Sequence, residues 1–206
     1  MNDDEYMAER RRAIKESIDF FASKNKTERE KMVVAETLTN LGVHYSENEL
    51  LPVSDEPPDI RFRDAEFEIK EIMDPDRRRH LEYKEGLEEA LAATVPADFL
   101  ECYTPPKCAT LAEIYERVMN VVSGLLTKYA PTTCRNLDLL FYVNLDDVMG
   151  LVETPFPDVT SLRLQPWRSV SFQMGRRTCV LVARDDAPDF LRAAMGRVTH
   201  REVGRA

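Results

Sequence analysis

The chain contains little glycine, and this excludes one common kind of phosphate-binding site. It has seven glycines among 206 residues, and none of them are clustered. The sequence therefore has no glycine-rich loop that could surround a phosphate with backbone amides. Neither a GxSxG nor an HExxH pattern occurs, so two large hydrolase signatures are also absent.

Cysteine and histidine are few and irregularly spaced. The four cysteines are Cys102, Cys108, Cys134 and Cys179, and none of the three histidines lies near a cysteine pair. A structural zinc site needs paired cysteines or nearby histidines, so the spacing argues against zinc. A cysteine–histidine nucleophile stays open, because such partners need to be close only in space.

The chain also lacks long apolar runs, and we expect no export signal. No stretch approaches the length of a membrane span. The N-terminal segment MNDDEYMAERRR is acidic and then basic, unlike a secretory signal. We therefore expect a cytoplasmic protein without membrane contact, whose cysteines are reduced thiols.

Positive charge is in deficit, since 28 basic and 37 acidic side chains give a net charge of −9. A protein that coats nucleic acid should be basic overall. Local basic clusters exist at Arg10–Arg12, Arg77–Arg79 and Arg176–Arg177. Each cluster fits either a phosphate contact or an ordinary solvated face.

Helical and extended patterns alternate along the chain. Helices are predicted over 4–23, 27–41, 74–93, 110–129 and 186–198. Strands are predicted over 43–53, 98–103 and 137–145, and in hairpins at 58–72 and 168–184, with 146–166 irregular. This order indicates an α/β fold with a mixed central sheet flanked by helices. We expect one domain over 1–206: an N-terminal helix (1–26), a core (27–145) and a C-terminal hairpin and helix (146–206).

The segment from Pro58 to Lys70 carries most of the chemistry. Apolar and charged residues alternate on both sides of a predicted Asp64-Ala65 turn, as in a half-buried hairpin. With that turn, residue 59 faces 70 and residue 61 faces 68. The core face then holds Ile60, Phe62, Phe67 and Ile69, and the other face holds Asp59, Arg61, Glu68 and Lys70. One interpretation of this second face is a solvated surface with weak pairs such as Arg61 with Glu68.

The same segment resembles a known nuclease signature. Pro58-Asp59 is followed nine residues later by Glu68-x-Lys70, which is similar to the PD-(D/E)xK motif. The resemblance implies a restriction-endonuclease-like fold over about residues 27–103, with the strand at 137–145 extending the sheet. The whole chain also resembles a small bacterial family regarded as endonucleases without a characterised function.

That resemblance implies a set of catalytic residues. Asp59, Glu68 and the backbone carbonyl of Ile69 would hold Mg²⁺ or Mn²⁺, because hard cations prefer oxygen ligands. Lys70 would position the attacking water and offset negative charge. The partner would be nucleic acid, with DNA favoured over RNA, and an oligomer of identical chains is left open.

Two further residues are candidates for the site. Glu30 lies on the helix before the hairpin, although it also fits a capping box with Thr27. Arg61, expected opposite Glu68, would either bind a phosphate or neutralise that carboxylate. The alternative function is a catalytically inactive module of the same fold, which binds protein or nucleic acid.

Overall fold

The computed structural model describes residues 2–55, 57–75, 77, 79–99 and 105–201. The chain divides into two compact units, one of residues 1–29 and 75–105 and the other of residues 30–74 and 106–206. The expectation of a single domain stays a prediction, and each unit is described by itself.

The smaller unit contains two helices, α1 (Asp3–Phe21) and α3 (Arg79–Ala92). A capping box begins α1, in which the Glu5 amide donates to Asn2 Oδ1 at 2.8 Å. The guanidinium of Arg11 donates to Ala90 O and Ala93 O, both at 2.8 Å. These carbonyls lie at the C-terminus of α3 and have no partner within the helix. Part of the first basic cluster is therefore structural.

Seven strands form the main sheet of the larger unit. They are β1 (Leu51–Pro52), β2 (Ile60–Phe62), β3 (Ala65–Ile72), β5 (Asp138–Val143), β7 (Ser169–Met174), β8 (Arg177–Ala183) and β9 (Val198–His200). Their order in the sheet is β1-β2-β3-β5-β7-β8-β9. The three central strands β3, β5 and β7 are parallel, and the outer strands are antiparallel. A second sheet pairs β4 (Lys107–Thr110) with β6 (Val148–Val152) in parallel.

Helices cover both faces of the main sheet. Helix α2 (Lys26–Asn40) packs Val34 and Leu38 against the face that carries Phe67, together with α7 (Asp189–Ala194). Helix α4 (Leu111–Leu125) packs its apolar stripe against the opposite face, which carries Phe141. The short helices α5 (Pro131–Cys134) and α6 (Thr160–Arg163) complete the unit. The predicted α/β fold, with a mixed central sheet flanked by helices, is confirmed.

Strand β5 is the central strand that the sequence predicts. Leu139 and Phe141 enter one core cluster, whereas Leu140 enters the other. A strand buried on both faces carries a continuous apolar run, which is why this element was readable. Among the described residues, no helix is both long enough and apolar enough to cross a membrane.

Several predicted elements were wrong in type or extent. Residues 43–53 contain a 3₁₀ turn (Glu47–Glu49) and only the two-residue β1, instead of one long strand. The segment expected to be irregular contains β6, and β4 was missed. The predicted helix at 74–93 begins only at Arg79. Most of the strand predicted at 98–103 lies outside the described residues, and residues 96–99 are 3₁₀.

The C-terminal helix is also shorter than predicted. It ends at Ala194, and the chain then pairs with β8 as strand β9. Gly196 has a φ of 78°, a left-handed conformation that suits glycine and reverses the chain. Short strands such as β4, β6 and β9 depend on distant partners, so local periodicity does not reveal them.

The register of the first hairpin differs from the prediction by two residues. Phe62 pairs with Ala65 and Arg61 pairs with Glu66, so the turn is Arg63-Asp64. Arg63 supplies the positive φ of 52° that this tight turn uses. Because side chains alternate with a period of two, the shift leaves each residue on its predicted face.

A buried ion pair holds this hairpin against the central strands. Asp138, 1% exposed, accepts hydrogen bonds from two guanidinium nitrogens of Arg168, from Ser169 Oγ at 2.7 Å and from the Glu66 amide at 3.0 Å. Arg168 Nη2 also donates to the carbonyl of Asp64 in the turn at 3.1 Å. Burial raises the pKa of the Asp138 carboxyl, and these hydrogen bonds lower it by less. The pair links β3, β5, β7 and the turn.

Replacing the cation should destabilise the fold in a pH-dependent way. Arg168→Met should cost about 3–5 kcal/mol at neutral pH, because Asp138 stays buried without its main partner. The folded-state pKa of Asp138 would rise further above its unfolded value of about 3.9. A raised folded pKa stabilises at low pH, and that contribution is lost as pH rises through it.

Urea unfolding between about pH 4 and pH 7 checks this expectation. The loss caused by Arg168→Met should grow with pH, whereas Arg163→Met, at an exposed position of α6, should change little at either pH. An equal loss for Arg168→Met at both ends of the range would contradict the role given to Asp138.

Candidate functional site

Asp59 is fixed at the start of the hairpin by its own backbone. Its amide donates to Phe67 O at 2.9 Å, and its carbonyl accepts from the Val53 amide at 3.1 Å. The side chain turns to β3, where Asp59 Oδ2 accepts from the Ile69 amide at 2.8 Å. The carboxylate is 4% exposed and lies beside the Glu68–Lys70 segment.

Glu68 and Lys70 point to one side of β3. Lys70 Nζ donates to Glu68 Oε1 in a short contact and to the Ile69 carbonyl at 2.9 Å. Glu68 is 2% exposed, whereas a quarter of the Lys70 side chain is accessible. An ammonium thus bridges the same carboxylate and carbonyl that were predicted to bind a cation. The structure brings together Asp59, Glu68, Ile69 and Lys70.

Tyr129 is a fifth member that the sequence did not reveal. Its hydroxyl donates to Glu68 Oε1 at 2.6 Å across 61 residues of chain. The ring packs edge-on against Trp167 at 6.0 Å between centroids, and Lys128 Nζ lies 5.0 Å from the ring centre. Tyr129 follows the last turn of α4, where a tyrosine is an ordinary residue, so no local signal marked it.

Only one of the two Glu68 carboxylate oxygens accepts hydrogen bonds in the described structure. Both Lys70 and Tyr129 donate to Glu68 Oε1, and Glu68 Oε2 is buried without a hydrogen-bond partner among the described residues. A buried polar atom in this condition needs an explanation, and an unseen ion is one.

The available donors fit a hard cation such as Mg²⁺ or Mn²⁺. They are two carboxylates and one carbonyl, all oxygen ligands. In the described part of the chain, no group of three or more His, Cys, Asp or Glu side chains could hold a metal. Any ion here would therefore depend on the Ile69 carbonyl and on water as well as on Asp59 and Glu68.

The two additional candidates lie in different surroundings. Arg61 pairs with Glu66 at 3.1 Å instead of standing opposite Glu68, so the predicted pairing of residue 61 with residue 68 was wrong. The cause is the two-residue shift of the pairing register, because the turn lies at Arg63-Asp64 instead of Asp64-Ala65. Glu30 lies in α2, whose buried residues pack on the sheet face that carries Phe67, opposite the face of Glu68. Catalytic roles for Glu30 and Arg61 stay predictions.

The buried cysteines are poor nucleophiles. Burial, with a smaller effect of the Glu153 carboxylate, raises the pKa of the Cys179 thiol to about 12. Burial also raises the pKa of Cys134. Since the thiolate is the reactive form, neither residue supports a cysteine–histidine mechanism.

The Tyr129–Glu68 contact should contribute to stability as well as to geometry. Tyr129→Phe keeps the ring against Trp167 but removes the donor, and should cost about 1–3 kcal/mol because a buried carboxylate loses a hydrogen bond. In a Glu68→Ala background the same change should cost little. Urea unfolding of the four proteins gives the coupling free energy, and an equal cost in both backgrounds would contradict the contact.

Comparison with known proteins identifies a relative and a family. A solved structure from Pseudomonas aeruginosa strain PAO1, described as a protein of unknown function of the monooxygenase superfamily, is similar over 99% of this chain and 98% of that chain, with 27% identity and a TM-score of 0.68. Among curated proteins none matches. A family profile matches residues 2–206. The chain therefore belongs to the family described as "Putative endonuclease, protein of unknown function (DUF1780)".

Proposed function

We propose that the protein is a metal-dependent endonuclease of the PD-(D/E)xK type that hydrolyses phosphodiester bonds in nucleic acid, DNA rather than RNA. The observation that carries the proposal is the contact network on β3. Asp59, Glu68, Lys70 and the Ile69 carbonyl, named by the motif, are joined by hydrogen bonds in a largely buried site. The family description supports the same general activity.

Asp59, Glu68 and the Ile69 carbonyl would hold Mg²⁺ or Mn²⁺. Bound there, the ion would polarise the phosphoryl oxygen and lower the pKa of an attached water. The unpartnered Glu68 Oε2 supports the assignment, because it is a negative acceptor already turned away from water. Tyr129 keeps the other oxygen occupied and so orients the carboxylate.

Lys70 would act at its Nζ atom. In the free protein this ammonium donates to Glu68 Oε1 and Ile69 O. If Asp59, Glu68 and the Ile69 carbonyl held a cation, that carbonyl would no longer be free to accept from Nζ, and a quarter of the Lys70 side chain is accessible. Nζ would then orient the attacking water and stabilise charge that develops on the phosphate.

Metal-dependent nicking of DNA is the direct test. Wild-type protein should nick plasmid DNA with Mg²⁺ or Mn²⁺ and not with EDTA, and Asp59→Ala or Lys70→Ala should lower the rate at least about 100-fold. Glu66→Gln is the matched control, since Glu66 lies on the same face of β3 but pairs with the exposed Arg61. Equal nicking by wild type and Lys70→Ala would indicate contamination or another site.

Cation binding can be measured separately from cleavage. Trp167 is the only tryptophan, and it contacts Tyr129, which contacts Glu68. Tryptophan emission should therefore change on titration with Mn²⁺ in wild type and in Lys70→Ala, but not in Glu68→Ala. Calorimetry that detects no Mn²⁺ binding to wild type would overturn the metal assignment.

The same tests distinguish the endonuclease from two other functions. A protein-interaction module on the same fold predicts neither cation binding nor cleavage. A nucleic-acid-binding module predicts salt-dependent binding without a metal-dependent product. Neither has a specific contact in its favour, whereas the endonuclease explains why two carboxylates and a lysine share one buried site.

The proposed location is the cytoplasm. All three cysteines in the described part of the chain, Cys108, Cys134 and Cys179, are free thiols, which suits a reducing compartment. An assembly of identical chains stays a prediction.

A further inference from the structure

A cavity lies in the larger unit, at the turn between β7 and β8. It has a volume of about 490 Å³ and is lined by the ends of β7, β8 and β9 and by the start of β6. That volume falls within the range of small-molecule sites, about 300–1,000 Å³. The Arg176–Arg177 cluster, which the proposed active site does not use, is part of its lining.

Strand pairing concentrates positive charge at this cavity. Arg177 stands opposite His200 in the β8–β9 pairing. One residue further out, the Arg201 amide donates to the Arg176 carbonyl at 3.0 Å. Three arginines and one histidine thus occupy two successive cross-strand pairs of β8 and β9. The arginine charges repel each other unless anions are nearby.

The charge of the Arg177–His200 pair is already balanced by a carboxylate. Glu153 Oε1 lies 2.9 Å from His200 Nε2 and 3.6 Å from Arg177 Nε. The charge of the Arg176–Arg201 pair is not, because among the described residues no carboxylate forms an ion pair with Arg176 or Arg201. The Arg201 charge acts on Glu36 and lowers its pKa, although burial of Glu36 has the larger and opposite effect.

Part of the cavity lining is apolar. Val148, Met149 and Met174 belong to it, and Met149 is 75% exposed. A long apolar side chain left in solvent beside two arginines that form no ion pair within the described part of the chain fits a ligand with both an apolar face and a negative group. Methionine contacts aromatic rings favourably through its polarisable sulfur.

We propose that this cavity binds a nucleotide unit, with its phosphate on Arg176 and Arg201 and its base on Met149. The inference rests on the proposed function, because it makes the cavity a subsite for the nucleic-acid strand. Lys70, Phe141 and Phe172 are aligned across β3, β5 and β7, and Met174 is two residues beyond Phe172. Two strand spacings and two residues give roughly 12 Å in a straight line between the backbones of Lys70 and Met174, so a bound strand would reach both by passing around the buried Phe141 and Phe172.

Binding of a labelled single-stranded DNA in EDTA tests the subsite without metal or cleavage. Arg176→Ala/Arg201→Ala removes both cations from one phosphate, so the magnitude of the slope of log K against log salt should fall by about 0.7. At ~0.1 M salt that change corresponds to about 5-fold weaker binding. Arg176→Lys/Arg201→Lys should retain most of the affinity, because the charges remain.

Two further variants separate the contacts. Met149→Ala should weaken binding without changing the salt slope, since no counterion is involved. Arg12→Ala/Arg163→Ala removes two exposed cations that do not line this cavity, and should leave wild-type affinity nearly unchanged. Thermal unfolding of each variant shows whether the fold is intact.

Several results would overturn the inference. One is that wild type does not bind DNA in EDTA. Another is that the two double-alanine variants lose equal amounts of DNA affinity. A third is that inorganic phosphate competes with DNA as strongly as a mononucleotide does. If wild type nicks DNA and Arg176→Ala/Arg201→Ala binds DNA with normal affinity, the proposed subsite is wrong. The proposed endonuclease activity would then stand. If the arginine substitutions weaken DNA binding but wild type shows no metal-dependent nicking, the proposed endonuclease activity is wrong. The proposed nucleotide subsite would then stand.

Discussion

The buried ion pair between Asp138 and Arg168 is the interaction on which the larger unit depends. It joins the starts of β3, β5 and β7, and its arginine also holds the carbonyl of Asp64 in the hairpin turn. A buried charge is expensive unless its partners are complete, so this end of the sheet tolerates little rearrangement. Since Asp59 and Glu68 lie on the anchored hairpin, the pair indirectly sets their positions.

The candidate site follows the same principle on a smaller scale. Glu68 is almost fully buried, and it is tolerated there because an ammonium and a phenol donate to one of its oxygens. The second oxygen has no such donor in the described structure. This pair of one satisfied and one unsatisfied carboxylate oxygen is the observation on which the proposed cation site rests.

Sequence reasoning succeeded where one face of an element is buried. The alternation around Ile60 and Phe67 predicted the faces of the hairpin, and the apolar run from Leu137 predicted β5. It failed where the turn decides the pairing. Arg63 adopts a positive φ, which is uncommon for arginine. The turn therefore lies one residue earlier than predicted, the pairing register shifts by two residues, and Arg61 pairs with Glu66. Strands β4 and β6 were missed because each is stabilised mainly by the other.

By itself, the sequence determined the fold class and the core faces of the hairpin, because period-two alternation lies within a few residues of chain. A local motif also predicted Asp59, Glu68 and Lys70 as a candidate set. Only the tertiary structure decided the partners of that set. Tyr129 reaches Glu68 from 61 residues away, and Arg201 reaches Arg176 through strand pairing. Contacts between distant residues depend on how helices and strands pack, and no local pattern encodes them.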